Sequence, residues 1–288
     1  MIRKAVILAA GLGTRLLPFS KEIPKEMIPL YDLSYKHIIL KPTIQIIYEH
    51  IFDAGIREIC IIVGRGKRAI EDHFTPDWPF IELLEKKGKY KQANIIREFY
   101  EKLEKTSFTW VNQSRPLGTG NALLQAKWFI DDEPVIVCAG DSIFIGKNMV
   151  KELIRVNNIT NGNIVVVKKV DNPKKHGVVI PGKKISRNII KIVDMIEKPL
   201  RPPSNLANMS YYLFQPSIVD ELKTLKPSTR KEYELTDAIR GLIKRYNNVY
   251  GLITRSIRID IGEACSYMKS LSLSYKYTSK RINSLINI

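Results

Sequence analysis

Residues 6–30 of this chain, VILAAGLGTRLLPFSKEIPKEMIPL, determine the expected fold. They open with residues 6–9, an apolar run without polar alternation, which is typical of a strand buried on both faces of a mostly parallel sheet. A glycine loop at residues 10–14 follows, and its backbone N–H groups can approach an anion closely. Arg15 adds a guanidinium group for phosphate oxygens, and Lys25 adds a second cation. This stretch therefore predicts a phosphate-binding loop at the end of a buried strand.

Two common glycine motifs do not fit this loop. The dinucleotide fingerprint G-x-G-x-x-G needs glycine where the chain has Leu16, and the Walker sequence is absent. The chain instead has G-x-G-T-R at 11–15 and P-K-E-M-x-P-L at 24–30. This pair of motifs resembles the signature of the sugar-1-phosphate nucleotidylyltransferases. The sequence I-P-K-E-M is similar to the corresponding motif of bacterial-type UDP-glucose pyrophosphorylases. The resemblance implies a Rossmann-like, three-layer α/β fold with a mostly parallel central sheet and a small β extension on the sugar side.

The order of apolar segments along the chain also favours an α/β fold. Strand-like runs at 58–63, 108–112 and 134–138 alternate with helical patterns, which predicts a right-handed, mostly parallel sheet with ligands at the strand ends. Residues 31–41 are expected to form an irregular loop, and β-type segments predominate after Asp141.

We expect a single nucleotidyltransferase domain over residues 1–288. It would comprise a nucleotide-binding half at 1–145, a sugar-binding half at 146–262 and a C-terminal helix at 263–288. The broad apolar face of that helix consists of Tyr267, Met268, Leu271 and Tyr275. Packing of this face onto the chain's own core is favoured over its use in dimerisation.

The composition is that of a soluble globular protein. A hydrophobic content of 44% can build a sizeable core. Because no apolar run approaches the ~20 residues needed to cross a bilayer, and because the N-terminus shows no signal-peptide pattern, a cytoplasmic location without membrane association is expected. The cysteines Cys60, Cys138 and Cys265 lack metal-ligand spacing, and the first two lie in apolar runs, which predicts buried reduced thiols.

The net charge of +17 predicts attraction to polyanions. Charge alone does not distinguish nucleic acid or a membrane surface from nucleotides and sugar phosphates. Much of the excess is lysine interspersed with glutamate, as at 85–105, which a solvated helix face also explains. Because no nucleic-acid-binding module is recognised, we expect no nucleic-acid partner. A non-catalytic nucleic-acid-binding protein remains the alternative from another functional class.

Joining a nucleoside triphosphate to a sugar phosphate brings two polyanions together, so such a site needs cations. Arg15 can hold the departing pyrophosphate, and Lys25 can bridge the attacking phosphate and the α-phosphate. Direct in-line attack requires no protein nucleophile, so catalysis consists mainly of positioning and electrostatics. The resemblance places the nucleotide against the glycine loop, at Ala10, Gly11, Gly13 and Thr14.

Two aspartates are candidate ligands of Mg²⁺. Asp141 follows a strand end in CAGDSIF, and Asp260 lies in RIDIG, so both match metal-binding segments of the family that the chain resembles. Magnesium prefers carboxylate oxygens in an open shell that substrate phosphates partly fill. Either aspartate alone could be a helix cap or a turn residue. Their occurrence at both matching places favours Mg²⁺ as the cofactor.

The segment QSRPLGTGNA at 113–122 is the candidate base-binding loop. The Gln113 amide can donate to and accept from the edge of a pyrimidine, and Gly118 leaves the backbone free to bond to it as well. The resemblance assigns both residues to uracil or thymine recognition. The family sequence here is P-L-G-L-G-H-A, from which the chain departs at Thr119 and Asn121.

The sugar side is indicated by HGVV at 176–179 and IEKP at 196–199. Glu197 can accept hydrogen bonds from sugar hydroxyls, and Lys198 can bind the phosphate. The resemblance gives them these roles and brings Gly177 close to the sugar ring. In YELTDAI, Thr236 or Asp237 could cap a helix or shape the sugar pocket, and capping is favoured.

The resemblance extends over nearly the whole chain and implies transfer of a uridylyl group from UTP to glucose 1-phosphate with Mg²⁺. A thymidylyltransferase that uses dTTP is the nearest alternative, because a single methyl group distinguishes the two bases by only ~1 to 3 kcal/mol. Use of both nucleotides is equally open. A homo-oligomer, either a dimer or a tetramer, is expected.

Overall fold

The computed structural model describes residues 2–34 and 37–286. A nine-stranded sheet forms its centre, accompanied by two two-stranded sheets. The strands up to residue 145 are β1 Lys4–Ala9, β2 Pro29–Ser34, β3 His37–Pro42, β4 Glu58–Val63, β5 Ser107–Asn112, β6 Val135–Ala139 and β7 Ser142–Ile145. The later strands are β8 Asn163–Lys169, β9 Gly177–Lys184, β10 Ile189–Glu197, β11 Leu206–Phe214, β12 Val249–Ile253 and β13 Ile257–Asp260.

Helices connect most of these strands. They are α1 Thr43–Asp53, α2 Arg68–His73, α3 Trp78–Lys86, α4 Tyr90–Leu103, α5 Thr119–Gln125, α6 Lys127–Ile130, α7 Met149–Thr160, α8 Ile218–Lys223, α9 Leu235–Tyr246 and α10 Ala264–Ile286. Short 3₁₀ helices form at Thr14–Leu16, Phe19–Lys21, Lys25–Met27 and Pro173–Lys175. Within the described ranges, no helix has both the length and the hydropathy that crossing a bilayer requires.

The large sheet has the order β5-β4-β1-β6-β11-β8-β12-β10-β9. Strands β5, β4, β1 and β6 are mutually parallel, as the alternation of strands and helices predicts. Beyond β6 the sheet is mixed, because β11 is antiparallel to both β6 and β8, and β10 is antiparallel to both β9 and β12. The α/β class is confirmed, and the parallel pairing is concentrated in the half that precedes residue 145.

Both faces of the sheet are covered, which gives three layers. Along β1, Ile7 packs into one buried cluster and Val6 into the other. The first cluster includes residues of α1 and α7, and the second includes residues of α5 and α9. A strand with helices on both sides has no solvated face. This explains why the opening strand reads as a continuous apolar run.

The expectation of an irregular loop at residues 31–41 is wrong. Strands β2 and β3 pair in antiparallel register, for example Leu33 with Ile38. Inside this hairpin the Lys41 ammonium, only 5% exposed, binds Oε2 of Glu49 at 2.6 Å and Oδ2 of Asp32 at 3.0 Å. Lys41 is the buried residue of β3, and its pairing with Glu49 of α1 and with Asp32 allows a charge there, which local hydropathy cannot predict. The connecting residues 35 and 36 lie outside the described ranges.

The C-terminal helix α10 packs within the chain, against the β2–β3 hairpin. Its buried face differs from the predicted one, since Ser270, Ser274 and Thr278 are buried whereas Met268 and Tyr275 are exposed. The buried hydroxyls make hydrogen bonds: Thr278 Oγ1 donates to the Tyr31 carbonyl at 3.2 Å, and the Tyr31 N–H donates to Ser274 Oγ at 3.2 Å. Small polar side chains therefore let the helix approach the hairpin backbone.

Strand β7 and helix α8 were not anticipated from the sequence. Strand β7 pairs antiparallel with β13, and Ser142 lies opposite Asp260. Because Asp141 immediately precedes β7 and Asp260 ends β13, this small ribbon brings the two predicted metal ligands to the same end.

Candidate active site

Every site residue predicted from the sequence lines one cavity of about 840 Å³. The cavity lies where strands of the parallel half end: the glycine loop follows β1, Gln113 follows β5, and Asp141 closely follows β6. Ligands of open α/β sheets bind at these carboxyl ends. The predicted residues in its wall are Ala10, Gly11, Gly13, Thr14, Arg15, Lys25, Gln113, Gly118, Asp141, Gly177, Glu197, Lys198 and Asp260.

The glycine loop turns sharply and then enters a 3₁₀ helix. Gly13 has a left-handed backbone with φ of 67°, and its carbonyl accepts bonds from the Leu16 N–H at 2.8 Å and the Ser20 hydroxyl at 2.7 Å. At Gly11, a Cβ atom would lie 3.4 Å from the Lys25 ammonium. That distance is an ordinary van der Waals contact, so it is at Gly13 that the left-handed turn favours glycine.

Lys25 and Asp141 form a partly buried ion pair. The Lys25 Nζ lies 2.5 Å from Oδ2 of Asp141, and the two side chains are 14% and 19% exposed. Burial alone would raise the pKa of Asp141, but the attraction and the hydrogen bond of Lys25 outweigh it and hold that pKa below its usual range. The neighbouring Glu26, 1% exposed, accepts from Lys67 Nζ at 2.8 Å. The motif P-K-E-M thus supplies both a cavity cation and a buried carboxylate beside it.

Asp260 is held by two donors at the end of the β7–β13 ribbon. Its Oδ1 accepts the Gly262 N–H at 2.7 Å, and its Oδ2 lies 2.8 Å from a guanidinium nitrogen of Arg258. The Ile261 N–H in turn bonds to the Asp141 carbonyl at 3.2 Å. The motifs did not single out Arg258, although it lies only two positions before Asp260 in RIDIG.

The donor set fits a magnesium ion that shares its shell with substrate. Both aspartates line the cavity, and within residues 2–34 and 37–286 no cluster of three or more acidic, histidine or cysteine side chains forms a complete cage. Magnesium is commonly held by one or two carboxylates together with phosphate oxygens and water. Asp141 and Asp260 are the residues that could hold an ion in such an open shell.

Arg15 reaches the opposite wall of the cavity. One of its guanidinium nitrogens lies 2.7 Å from Oε1 of Glu263, just before α10, and Lys175 Nζ lies 4.0 Å from Oε2 of the same residue. The Arg15 side chain is 64% exposed, so its charge is accessible to a ligand. Glu263 lies in no recognisable motif, so the sequence did not indicate it. It lies at this site because the chain passes the cavity after β13.

The base-binding candidates are ordered by a neighbouring segment. Gln113 Nε2 donates to the Gly118 carbonyl at 3.2 Å and to Asn121 Oδ1 at 2.8 Å. Gly118 has φ of +107°, and a Cβ atom there would lie 2.7 Å from the carbonyl oxygen of Tyr233. The Tyr233 N–H donates to the Leu117 carbonyl at 2.8 Å. Glycine is therefore required at position 118 by the close approach of the Tyr233 backbone as well as by its conformation.

The sugar-side candidates meet across two paired strands. Gly177 of β9 lies opposite Glu197 of β10, and a Cβ atom on the glycine would lie 2.9 Å from Glu197 Oε2. That oxygen accepts the Thr236 hydroxyl at 2.6 Å. Burial raises the pKa of Glu197, although the Thr236 hydrogen bond opposes this. Lys198 Nζ lies 3.9 Å from Oε1 of Glu197.

The predicted cap of α9 is wrong. The residue at the N-cap position is Glu234, whose own side chain makes no capping hydrogen bond, and the Leu235 N–H donates to Thr119 Oγ1 at 3.3 Å. Thr236 instead points to Glu197, so it belongs to the sugar-side wall. The sequence motifs also did not reveal Arg230, which pairs with Glu234 and lies 3.8 Å from Oε1 of Glu197.

This fold and cavity define a nucleotide-dependent transferase, and comparison with known proteins identifies the family. The family model described as nucleotidyl transferase matches residues 4–276, and the chain belongs to this family.

Two similar relatives have the same named activity. A putative UTP–glucose-1-phosphate uridylyltransferase of Methanocaldococcus jannaschii is 36% identical over 274 residues, covering 94% of this chain and 92% of the relative. UTP–glucose-1-phosphate uridylyltransferase 2 of Staphylococcus saprophyticus is 38% identical over 274 residues, covering 93% and 90%. Among solved structures, a UDP-glucose pyrophosphorylase complexed with UDP-glucose matches with a TM-score of 0.83 and 31% identity, covering 96% of this chain and 99% of that one.

Proposed function

We propose that this protein transfers a uridylyl group from UTP to α-D-glucose 1-phosphate, giving UDP-glucose and pyrophosphate. The observation that carries this proposal is the convergence of all the predicted site residues on one cavity. The names of the relatives and the UDP-glucose bound in the similar structure support the same substrates.

The reaction is a direct in-line attack of the sugar phosphate on the α-phosphorus of UTP. An oxygen of glucose 1-phosphate forms the new bond to phosphorus, and pyrophosphate leaves from the opposite side. Lys25 neutralises the attacking phosphate and the α-phosphate, while Arg15 holds the pyrophosphate as negative charge develops on it. The glycine loop, at Ala10, Gly11, Gly13 and Thr14, positions the triphosphate with backbone N–H groups.

Asp141 and Asp260 hold Mg²⁺ in this proposal. The ion would supply charge neutralisation between the phosphates of the two substrates. Lys25 and Arg258 each contact Oδ2 of one of these carboxylates, so their positive charges would lie close to that of the ion. Gln113 and Gly118 bind the uracil edge, and Glu197, Lys198 and Gly177 bind the sugar phosphate.

A single assay tests the proposal: pyrophosphate release across a matrix of nucleoside triphosphates and hexose 1-phosphates, with Mg²⁺ and with EDTA. We expect turnover with UTP and glucose 1-phosphate, and none in EDTA. Release with other sugar phosphates but not with glucose 1-phosphate would overturn the substrate assignment. Full activity in EDTA would overturn the metal assignment.

The same matrix addresses the alternatives. A dTTP rate equal to or above the UTP rate would make this a thymidylyltransferase or an enzyme that uses both nucleotides. Salt-sensitive binding to RNA or DNA without any turnover would favour the nucleic-acid-binding alternative. The cytoplasmic location, the single-domain organisation and the homo-oligomeric state stay predictions.

A further inference from the structure

The amide group of Gln113 has both of its N–H bonds occupied within the chain. Its Nε2 donates to the Gly118 carbonyl at 3.2 Å and to Oδ1 of Asn121 at 2.8 Å. An amide nitrogen has two hydrogens, so these contacts use its whole donor capacity. Gln113 is 6% exposed and lines the cavity. The Oε1 atom is therefore the polar atom of this side chain that remains for a ligand.

The direction of this amide is determined by its neighbours. A backbone carbonyl can only accept a hydrogen bond, so the Gly118 contact requires the NH₂ end of Gln113 to face it. The hydrogen bond to Asn121 is the shorter of the two, and its acceptor is a side chain on the first turn of α5. The start of α5 is itself held, because the Gly120 N–H donates to the Tyr233 carbonyl at 2.8 Å. Asn121 thus sits at a defined position, and its Oδ1 together with the Gly118 carbonyl holds the amide in one of its two orientations.

This orientation matters because pyrimidines differ in what they present at N3. Uracil and thymine have an N3–H donor, which the Gln113 oxygen can accept. Cytosine has an acceptor at N3, which would face the same oxygen without a hydrogen between them. Buried polar groups left unpaired in this way cost about 1 to 3 kcal/mol. An amide rotated by 180° would reverse the preference.

We propose that Asn121 is a positioning residue that selects imide pyrimidines over cytosine by holding the Gln113 oxygen toward the base. The proposal rests on the proposed function, since it needs a nucleotide base at Gln113. Asn121 acts through Gln113 and does not itself contact the base. Thymine shares the N3–H group with uracil, so the device does not separate UTP from dTTP.

Two substitutions at the same position test the proposal. Asn121→Ala removes the acceptor, whereas Asn121→Asp retains an acceptor oxygen at the same distance along the side chain. Gln125→Ala is the matched control: Gln125 is an exposed amide on the same helix that contacts only the Asn121 backbone carbonyl, at 3.3 Å. The measurements are kcat and KM for UTP and for CTP with glucose 1-phosphate, and the dissociation constants of both nucleotides by calorimetry.

We expect Asn121→Ala to lower the UTP-to-CTP ratio of kcat/KM about tenfold, mainly through a lower KM for CTP and a higher KM for UTP. Asn121→Asp and Gln125→Ala should leave that ratio within about threefold of the unmodified protein. A ratio unchanged in Asn121→Ala, or lowered equally in Asn121→Asp, would overturn the role of the acceptor.

Failure of this inference is distinguishable from failure of the proposed function. If the unmodified protein makes UDP-glucose and rejects CTP, but Asn121→Ala rejects CTP equally well, only the role of Asn121 is lost. If the unmodified protein makes no UDP-glucose, the proposed function itself is wrong. Should Asn121→Ala fold poorly, Asn121→Ser, which replaces the amide by a shorter hydroxyl, carries the same expectation of a lowered ratio.

Discussion

The Lys25 ammonium lies 2.5 Å from Oδ2 of Asp141, so the predicted catalytic cation pairs directly with a predicted metal ligand. Charge-assisted hydrogen bonds of this kind are stronger than neutral ones, and a metal ion must compete with this one for the carboxylate. Metal and lysine would therefore share one carboxylate group, where their positive charges oppose each other.

The Lys25→Met protein should bind Mn²⁺ about tenfold more tightly than the unmodified protein when no nucleotide is present, because the competing ammonium is gone. Mn²⁺ titrations followed by electron paramagnetic resonance provide the measurement. Lys175→Met is the control, since Lys175 lines the same cavity but pairs with Glu263. An equal gain in both variants would mean that only the overall charge of the cavity had changed. The same Lys25 substitution should lower kcat by about 10² or more.

Lys198 should act on the sugar phosphate and not on UTP. We expect Lys198→Gln to raise the KM for glucose 1-phosphate about tenfold or more and to leave the KM for UTP nearly unchanged. Steady-state kinetics with each substrate varied in turn provide the measurement. Lys184→Gln is the control, because Lys184 is an exposed lysine at the far end of β9. Equal rises in both KM values would contradict the assignment of Lys198.

Thr236 should orient Glu197 through the 2.6 Å hydrogen bond to its Oε2. We expect Thr236→Val, which keeps the shape but removes the hydroxyl, to raise the KM for glucose 1-phosphate about tenfold. Thr236→Ser retains the donor and should restore most of the affinity. If valine and serine gave the same KM, the hydroxyl would have no role in sugar binding.

Gly118→Ala should destabilise the protein, because its Cβ would lie 2.7 Å from the Tyr233 carbonyl and its φ is +107°. Overpacking and backbone strain together predict a loss of about 2 to 4 kcal/mol in the free energy of unfolding. Gly66→Ala isolates the strain, since Gly66 has φ of +79° but a Cβ atom there would have no neighbour within 4 Å. That control should lose about 1 kcal/mol. Urea unfolding of the two variants separates the contributions, and equal losses would contradict the close contact at Gly118.

His73 should make stability depend on pH. Burial lowers the pKa of His73 to about 4 from an ordinary value of 6.5, and its Nε2 lies 3.1 Å from Oε1 of Gln45. Between these values the unfolded chain binds more protons at this residue than the folded chain does. The free energy of unfolding therefore falls as the pH is lowered from about 6.5 to about 4, by about 2 to 3 kcal/mol from this group.

His73→Gln removes this titration and should flatten the pH dependence over that window, as measured by urea unfolding at several pH values. His37→Gln, at an exposed histidine, is the matched control, and an equal loss of pH dependence in that variant would show that the effect is not specific to His73. A profile of His73→Gln parallel to that of the unmodified protein would show that the imidazole does not contribute.

Sequence patterns alone predict the α/β class and the motif residues that line the cavity. The apolar run before Gly11 required a strand covered on both faces, and the short motifs at residues 11–15, 24–30 and 196–199 identified chemistry that depends on residue type and local spacing. Local patterns of this kind depend on residues close together in the chain, so they can be recognised without coordinates.

The distant residues that contact those motif residues depend on how the chain folds. Glu263 reaches Arg15, Thr236 reaches Glu197, and Asn121 orients Gln113 because strands and helices far apart in the chain end at the same cavity. The β2–β3 hairpin could not be predicted for the same reason, because the buried charge of Lys41 is compensated by Glu49 on another element. The free energy of burying such polar groups depends on hydrogen-bond and charge partners from other elements of the fold. The sequence contains both partners, but it does not show that they are in contact.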